Sequence, residues 1–432
     1  MLLLRFSATN HKSLRDEAVL DLTRPTLRTL RPREGEGWNQ QVYPVAGIFG
    51  ANASGKSTVL DALRYALAVV EFSAGEWQQY DTVPHVPFAL DEVHPGKPSC
   101  YEFDFVVGET RYQYGFELGG GGIESEWLRD LPGSRFRSLL LRRGTDIKLA
   151  PGVGAIGPLS RRELALSRAA LLEHPRLTPI TRALNETKVV PFGDTVHSHR
   201  TQDIAESVAS GEIREELVRV LLQVADVGIC GLSVREDQIT PELAEFLRRF
   251  KDLLSEEPEG DAGAQIRLSE EQTEMVVRNL EFTHLGSGDR RYTFTIYDES
   301  SGTLAWLSLA LYAVQCLRRG HVMVVDEIDA SLHSHLMEVL LGWFADPEIN
   351  RFGAQLIFTS HDTYLLSPLA SVTLEPEQVW FTEKERDGSS ELYSLADFKR
   401  HKDANVARRY LAGRYGAIPA PAPSLITNLL GA

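Results

Sequence analysis

The chain has 432 residues, of which 43% are hydrophobic and 24% are charged. A chain of this length can bury a large core and form two or three domains, and this composition is typical of a globular protein. The formal net charge of −15 argues against a protein that grips nucleic acid over its whole surface, although a local basic face stays possible.

The sequence lacks the marks of a secreted or membrane protein. The longest apolar stretch, Leu304–Cys316, is too short to span a bilayer, and Met1–Phe6 has no basic region ahead of a long apolar core. The cysteines have neither the spacing of metal ligands nor an evident disulfide framework. They are Cys100, Cys230 and Cys316. We therefore expect a cytoplasmic protein that makes no membrane contact.

The N-terminal part predicts strands and a helix around a glycine-rich loop. Leu2–Ala8 and Ala18–Leu22 are predicted to pair as a hairpin around a turn-rich segment. The apolar run Tyr43–Phe49 predicts a buried strand, and Thr58–Val70 predicts a helix with apolar residues on one face. Between them lies GANASGKST, residues 50–58, which has the complete pattern G-x-x-x-x-G-K-[ST] of a phosphate-binding loop.

This loop predicts a nucleotide site because each of its features serves a phosphate group. Gly50 and Gly55 let the backbone turn its N–H groups inward, and the start of the following helix adds positive potential. Lys56 is expected to reach the outer phosphates, and the Ser57 hydroxyl is expected to ligate Mg²⁺. The other predicted nucleotide contacts are Asn52, Ala53, Ser54 and Thr58. A glycine turn that binds nothing is the alternative, which the strand–loop–helix setting disfavours.

The next segments change from alternating to helical periodicity. Tyr101–Val107, Arg111–Leu118 and Ile123–Leu128 predict antiparallel strands, which form an annex distinct from the parallel core. From about residue 159 to residue 254 the apolar residues recur at helical spacing, most clearly after Thr240-Pro241, where a cap residue precedes a first-turn proline. We interpret these apolar stripes as packing faces.

The segment after residue 263 predicts a second lobe with a second anion site. Val276–Thr283 and Arg291–Tyr297 predict a hairpin, and ESSGT, residues 299–303, opens an apolar helix. The Ser300 hydroxyl, the Gly302 backbone and the helix dipole suit an anion. Because one nucleotide needs only one phosphate cradle within a chain, we predict that Ser300 and Gly302 face the phosphate loop of another subunit. A simple serine cap is the alternative.

Farther along the chain, an acidic pair and a histidine each follow a predicted buried strand. His321–Val325 predicts a strand that ends at Asp326-Glu327, and Ala354–Phe358 predicts another that ends near His361. A parallel α/β sheet presents its ligand crevice at the carboxyl ends of its strands. Asp326 is therefore predicted to hold Mg²⁺, and Glu327 to orient and deprotonate the attacking water. His361 is predicted to contact the γ-phosphate, with a plain strand-end cap as the alternative.

These elements define the expected fold class and its parts. The class is α/β, a P-loop NTPase with a mixed β-sheet core, an antiparallel β annex and a helical insertion. The expected divisions are an N-terminal ATPase lobe over residues 1–158, a helical insertion over 159–263, a C-terminal ATPase lobe over 264–417 and a Pro/Ala-rich tail over 418–432.

Taken in order, GANASGKST, ESSGT, VMVVDEID and IFTSH resemble the Walker A, signature, Walker B and switch-histidine motifs of ABC-class ATPases. Within that class the chain is similar to the SMC, RecF and OLD-like branch. Its segment Asn10-His11-Lys12-Ser13 resembles the N-terminal motif of that branch. The resemblance implies an ABC-type head in which Lys12 approaches the nucleotide phosphates. ESSGT, DEIDASLH and YLAGRYGAIP resemble stand-alone OLD-related AAA ATP-binding proteins of bacterial anti-phage, or abortive-infection, systems.

The resemblance implies a slow ATPase that uses ATP and Mg²⁺ and forms a homodimer or higher homo-oligomer, with ATP sandwiched between subunits. It implies a sensor or scaffold in anti-phage defence that controls a separately encoded effector, a Toprim-type nuclease or other toxin. The oligomer is expected to hold this effector until a phage-encoded trigger arrives.

The alternative function is a DNA-repair or nuclease-associated ATPase with its own nucleic-acid processing activity. The R-x5-H spacing of Arg168 and His174 is reminiscent of a ribonuclease motif, although such spacing arises easily by chance. Whether the chain contacts nucleic acid stays open. A zinc site is disfavoured because the Walker and switch roles account for most of its candidate ligands. Those candidates are Asp329, His333, His335 and His361.

Overall fold

The computed structural model describes residues 1–190, 204–205, 207–211, 213–225, 228–238, 276–330, 332–399 and 405–418. The chain divides into two compact units, one formed by residues 1–190 and 313–432 and the other by Pro191–Tyr312. The predicted insertion, 159–263, thus has residues in both units. The helix expected after Thr240 and residues 419–432 of the predicted tail lie outside the described residues.

The described residues form strands and helices that are numbered here in chain order. The strands are β1 (Leu2–Thr9), β2 (Ala18–Asp21), β3 (Val45–Gly50), β4 (Ser99–Val107), β5 (Thr110–Gly119), β6 (Gly122–Asp130), β7 (Arg137–Arg143), β8 (Asp146–Leu149), β9 (Lys188–Val190), β10 (Ile229–Gln238), β11 (Val276–Leu285), β12 (Arg291–Thr295), β13 (Val322–Val325), β14 (Gln355–Ser360), β15 (Val379–Lys384) and β16 (Ser390–Ser394). The helices are α1 (Lys56–Phe72), α2 (Ala165–Leu171), α3 (Thr178–Asn185), α4 (Glu215–Val224), α5 (Ser301–Arg319), α6 (Ser334–Ala345) and α7 (Val406–Leu411). Among the described residues, no helix has both the length and the apolar character needed to cross a membrane.

A mixed sheet in the first unit, called the core sheet here, carries the phosphate loop. Its strand order is β16-β15-β3-β14-β13-β9, and only the β15–β16 pair is antiparallel. Every residue of β3, β13 and β14 is buried, as expected for parallel strands that are covered on both faces. Ser360 lies opposite Phe49, and Val325 lies opposite Phe358. The carboxyl ends of β3, β14 and β13 therefore meet at one edge, and the predicted strands are confirmed.

A second, antiparallel sheet in the first unit is the predicted annex. Its order is β2-β1-β4-β5-β6-β7-β8. The predicted strands of this region are confirmed, and the N-terminal hairpin proves to be part of the same sheet because β1 pairs with β4 as well as with β2. Strands β7 and β8 were not predicted, although the glycine turn Gly144-Thr145 and the alternating run Asp146–Leu149 are signals of a hairpin.

The buried carboxylate of Glu126, on β6 of the annex, binds the start of helix α2 and forms an ion pair within the annex. The Glu126 carboxylate accepts hydrogen bonds from the backbone N–H groups of Ala165, at 2.6 Å, and Leu166, at 3.0 Å. Arg142 lies 3.6 Å from Glu126, and neither side chain is exposed. Burial raises the pKa of Glu126, while the Arg142 charge and the backbone N–H donors oppose that shift. The carboxylate thereby serves as the N-terminal cap that α2 lacks in its own sequence.

The second unit contains an antiparallel sheet of order β10-β11-β12. The predicted hairpin of β11 and β12 is confirmed, and the apolar helix predicted from Leu304 is found as α5. The expectation of helical structure throughout 159–254 is wrong for β9, which pairs with β13 in the core sheet, and for β10. Strand β10 pairs with β11 so that Leu232 faces Phe282. Both side chains are buried, so a long-range strand partner imposed the period of two that local spacing did not reveal.

Candidate nucleotide-binding and hydrolysis site

The phosphate loop joins the end of β3 to the start of α1, as predicted. Gly55 immediately precedes α1 with φ of 111°, a left-handed conformation that favours glycine. A Cβ atom at this position would also collide with Ser390 Oγ. Both the backbone angle and the close neighbour therefore favour glycine at position 55, the second glycine of the motif. The folded chain itself thus requires this glycine.

Lys56 points back across the loop instead of outward to solvent. Its ammonium donates to the carbonyls of Gly50, at 2.9 Å, and Ala51, at 3.0 Å, and lies 3.2 Å from His361 Nδ1. Burial lowers the pKa of Lys56, and three carboxylates oppose that shift. They are Glu327, Asp326 and Asp329. The cation is thus held over the loop, where a phosphate oxygen could replace a carbonyl as its partner.

Ser57 and Asp326 bring two oxygen ligands together. The Ser57 hydroxyl donates to Asp326 Oδ1 at 3.1 Å, and the Thr359 hydroxyl donates to the same oxygen. Magnesium in nucleotide sites binds one or two protein oxygens together with phosphate oxygens and waters. The pair therefore fits Mg²⁺, and Ser57 and Asp326 would be the residues that hold it. Such an ion would supply positive charge next to the phosphates.

Glu327 follows directly in a strained backbone conformation. Its φ is 48°, which costs energy for a residue other than glycine. The Glu327 N–H donates to Thr359 Oγ1 at 2.7 Å, and its carboxylate lies 3.7 Å from His361 Nε2. The side chain is 48% exposed. The turn therefore presents this carboxylate to an open space beside His361, where a water molecule could be bound.

His361 connects the two halves of the site. Its Nδ1 faces Lys56, its Nε2 faces Glu327, and its backbone N–H donates to Asp329 Oδ2 at 3.0 Å. The structure thus brings together Lys56, Ser57, Asp326, Glu327 and His361 at the edge of the core sheet where three parallel strands end. These are the residues that the sequence singled out for phosphate, metal and hydrolytic chemistry.

Thr359 is the residue of this site that the sequence analysis missed. It lies near the end of β14, fully buried, and its hydroxyl contacts both Asp326 and the Glu327 N–H. The signal was present in IFTSH as a hydroxyl two residues before the histidine. Its role could not be assigned from sequence because it depends on β14 lying beside β13.

The side chain of Lys12 contacts helix α1 near its start. Its ammonium is 2.6 Å from Asp61 Oδ2, and His11 and Arg64 bind the same carboxylate. Burial alone would raise the pKa of Asp61, but these three donors together hold it below its usual value. The contact of Lys12 with nucleotide phosphates stays a prediction. Among the other loop residues, Asn52 and Ala53 are exposed, and Thr58 accepts a hydrogen bond from Ser13 at 3.3 Å.

Ser300 and Gly302 belong to the second unit, where Ser300 caps α5. The Ser300 hydroxyl accepts a hydrogen bond from the Thr303 N–H at 3.1 Å, which is N-cap geometry. Ser300 is exposed, and Gly302 is half-buried. A cap of this kind leaves the other N–H groups at the helix start available to an anion. That these residues face the phosphate loop of another subunit stays a prediction.

The two residues considered for nuclease activity have structural roles. His174 is buried, and its Nδ1 accepts hydrogen bonds from the N–H groups of Arg176 and Leu177, both at 3.3 Å. Arg168 lies 3.5 Å from Glu163 in an ion pair. The histidine thus caps a helical turn, and the arginine pairs with a carboxylate, so each side chain has a structural partner. Within the described part of the chain, no group of three or more His, Cys, Asp or Glu side chains is arranged to hold a metal ion.

A phosphate loop between a parallel strand and a helix, with acidic residues at the end of a nearby strand, defines a P-loop NTPase. The model of one protein family matches residues 45–367, more than half of the chain, and is described as "AAA domain, putative AbiEii toxin, Type IV TA system". The chain belongs to this family. The prediction of a P-loop ATPase is thereby confirmed at the level of this family, whereas the OLD-like branch stays a prediction. No curated protein matches the chain.

Several solved structures are similar to the chain in fold. The head of an SMC protein bound to the C-terminal winged-helix domain of ScpA is 14% identical, with a TM-score of 0.48, over 91% of this chain and 97% of that one. The SMC head domain from Thermotoga maritima is 13% identical, with a TM-score of 0.40, over 91% and 99% of the two chains. An SMC head with an extended coiled coil, bound to a ScpA domain from Pyrococcus furiosus, is 15% identical, with a TM-score of 0.43, over 91% and 96%.

Proposed function

We propose that this chain binds ATP with Mg²⁺ and hydrolyses it slowly. The observation that carries the proposal is the convergence of Lys56, Ser57, Asp326, Glu327 and His361 at one edge of the core sheet. A cation, two metal-ligating oxygens and a carboxylate next to a histidine are the groups that phosphoryl transfer to water requires. They come from three strands that end together, so the fold itself assembles them.

Each residue has a separate task in this proposal. Lys56 exchanges its carbonyl partners for phosphate oxygens, which stabilises bound triphosphate by charge. Glu327 orients the attacking water and accepts its proton, which is a task for a partly exposed carboxylate in reach of the phosphate. His361 contacts the γ-phosphate and lies against Glu327, so the presence of that phosphate can change the position of the Glu327 carboxylate. Thr359 positions both acidic residues.

We further propose that ATP is shared between two copies of the chain. The exposed Ser300 and the start of α5 offer hydrogen-bond donors and a positive helix end to the triphosphate bound by a partner. The γ-phosphate would then stabilise the closed pair, and hydrolysis would release it. Such a switch suits a regulatory protein better than a metabolic enzyme.

The output of this switch is proposed to be control of a separately encoded toxic effector in anti-phage defence. The family description supports this class of role because it refers to a toxin and to a type IV toxin–antitoxin system. The motifs ESSGT, DEIDASLH and YLAGRYGAIP support it as a resemblance to OLD-related anti-phage proteins. The buried cap role of His174 gives the alternative, an intrinsic nuclease, no support.

The test is to co-express the chain with the products of its neighbouring genes and purify it with ATP, with a non-hydrolysable analogue and without nucleotide. We expect phosphate release by the chain and a co-purifying toxin whose retention depends on the nucleotide. Absence of ATP hydrolysis by the purified assembly would contradict the enzymatic proposal. Nucleic-acid degradation by the single chain, lost in His174→Ala, would replace the effector proposal with the nuclease alternative.

A further inference from the structure

The hairpin of β15 and β16 contacts the phosphate loop at two positions. Thr382 Oγ1 lies 2.6 Å from Ser54 Oγ, and both side chains are buried. Ser390 Oγ occupies the space where a Cβ atom of Gly55 would lie. These contacts flank the turn of the loop. A shift of the hairpin would therefore displace the loop residues that are expected to surround the phosphates.

A chain of hydroxyl groups extends the second contact to the start of α1. The Ser390 hydroxyl donates to Ser13 Oγ at 2.9 Å, and the Ser13 hydroxyl donates to Thr58 Oγ1 at 3.3 Å. The Ser390 N–H also donates to the Ser13 carbonyl at 2.7 Å. Thr58 lies in the first turn of α1, so the hairpin is linked both to the phosphate loop and to the start of the helix that follows it.

The opposite face of β15 binds the segment Tyr410–Gly416. Phe381 precedes Thr382, and consecutive strand residues point to opposite faces. The Phe381 ring stacks on Tyr410, with centroids 5.2 Å apart and an angle of 11°, and on Tyr415, at 5.7 Å and 16°. All three side chains are buried. One strand therefore carries the loop contact on one face and this C-terminal segment on the other.

The segment is held in place by its backbone as well. The Tyr393 hydroxyl, from β16, donates to the Tyr415 carbonyl at 2.6 Å. Gly416 has φ of 68°, and a Cβ atom there would collide with Glu383 of β15. Gly416 and the two tyrosines of YLAGRYG are thus the residues that let the segment fit against the hairpin. This gives a physical reason for a motif that the ATPase site itself does not use.

We propose that Thr382 and Ser390 are positioning residues for the phosphate loop, and that docking of Tyr410–Gly416 on the hairpin is coupled to nucleotide binding. The inference rests on the proposed binding of ATP. Because coupling between two sites is reciprocal, ATP must tighten the docked segment by the factor by which the segment tightens ATP. A partner protein that grips or displaces this segment would change the affinity for ATP without touching the nucleotide.

The first test compares Mg-ATP affinities of the full chain with a fluorescent ATP analogue. Thr382→Val removes the hydroxyl at nearly constant volume, and we expect it to weaken binding about five- to tenfold. Thr382→Ser keeps the hydroxyl and should restore affinity to within about twofold of the original. The matched control is Thr293→Val on the exposed strand β12, which should bind as the original chain does. Melting temperatures of all variants are measured without nucleotide.

The second test measures amide hydrogen exchange of residues 405–418 in the unmodified chain, with and without Mg-ATP. We expect ATP to slow exchange in Tyr410–Gly416, and the effect to vanish in Lys56→Ala. Tyr415→Leu should weaken ATP binding about fivefold or more, whereas Tyr415→Phe, which keeps the stacked ring, should not. This test needs no altered hairpin, so it stays decisive if Thr382→Val fails to fold.

The outcomes separate this inference from the proposed function. An unmodified chain that does not bind ATP overturns the proposed function. A chain that binds ATP, with equal affinity in Thr382→Val and with exchange in Tyr410–Gly416 unchanged by ATP, overturns the coupling while leaving the ATP site in place. A loss of affinity in Thr382→Ser equal to that in Thr382→Val would also count against a positioning role of the hydroxyl.

Discussion

At the scale of single residues, the candidate site is a set of charges held in place by hydrogen bonds with neighbouring residues. Lys56 is bound by carbonyls of its own loop, Asp326 by two hydroxyl donors, and Glu327 by the Thr359 hydroxyl at its backbone N–H. Such support limits the movement needed when a nucleotide binds. Because each side chain has a separate predicted role, single substitutions are expected to change either nucleotide affinity or turnover.

Lys56→Ala removes the cation that lies over the loop. We expect the dissociation constant for Mg-ATP to rise at least about 100-fold, because charge-assisted hydrogen bonds to the phosphates are lost. Isothermal titration calorimetry measures it. The control is Lys148→Ala, which removes an exposed lysine of β8 and should leave affinity unchanged. Undiminished binding in Lys56→Ala would refute the assignment of the phosphate loop.

Glu327→Gln keeps the shape of the side chain and removes its basicity. We expect ATP to bind with nearly unchanged affinity and turnover to fall about 100- to 10,000-fold, the usual contribution of a general base. Phosphate release under saturating ATP gives the rate, with Glu348→Gln at an exposed position as the control. Normal turnover in Glu327→Gln would show that another group is the base.

At the scale of elements, two helix starts depend on groups that lie next to them. Helix α2 begins on the buried carboxylate of Glu126, whereas α5 begins on the exposed hydroxyl of Ser300. The first arrangement joins a sheet to a helix inside one unit. The second leaves a helix end open to solvent, which is the condition for a contact between chains. The two therefore predict effects on stability and on assembly, respectively.

Glu126→Gln leaves Arg142 buried beside a neutral amide. We expect the free energy of unfolding to fall by about 3–5 kcal/mol, as is usual when one partner of a buried ion pair is removed. Urea denaturation followed by circular dichroism measures the loss. Glu124→Gln changes an exposed position of the same strand and should stay within about 0.5 kcal/mol of the original chain. An equal effect of the two substitutions would refute the structural role of the pair.

Ser300→Arg places a bulky cation at the start of α5. We expect the single chain to bind ATP as before, because the phosphate loop belongs to the other compact unit. Association of two chains with ATP should weaken at least about tenfold, since the open helix end would be blocked. Analytical ultracentrifugation with and without ATP distinguishes these effects, and Ser287→Arg at an exposed turn is the control. Full ATP-dependent association in Ser300→Arg would argue against a shared site.

At the scale of the whole molecule, the proposal requires that two chains complete each ATP site. In Glu327→Gln with ATP we expect a species of twice the 48.1 kDa chain mass, or a higher multiple. Mixing Lys56→Ala with Ser300→Arg should restore part of the hydrolysis that each lacks, because the mixed pair retains one intact composite site. Light scattering and phosphate release measure the two effects. Unchanged mass and no rescue would show that the chains act separately.

Much of the candidate nucleotide site could be predicted because its chemistry is local in sequence. GANASGKST contains both glycines, the lysine and the serine of the loop, and Asp326-Glu327 and His361 each follow an apolar strand within one or two residues. Backbone turns and helix starts are set by nearby residues, so these positions carry their own signal. The buried parallel strands were equally evident from their apolar runs.

What the sequence by itself determined was the class of loop, the residues proposed to bind phosphate and metal, and the strands that carry them, since each depends on neighbours within a few positions. Tertiary structure alone decided that β10 is a strand, that Thr359 holds both acidic residues, and that His174 caps a turn. It also brought Thr382 and Ser390 to the phosphate loop from more than 300 positions away. Those facts depend on partners distant in the chain, because hydrogen bonding and burial act between groups that only folding brings together.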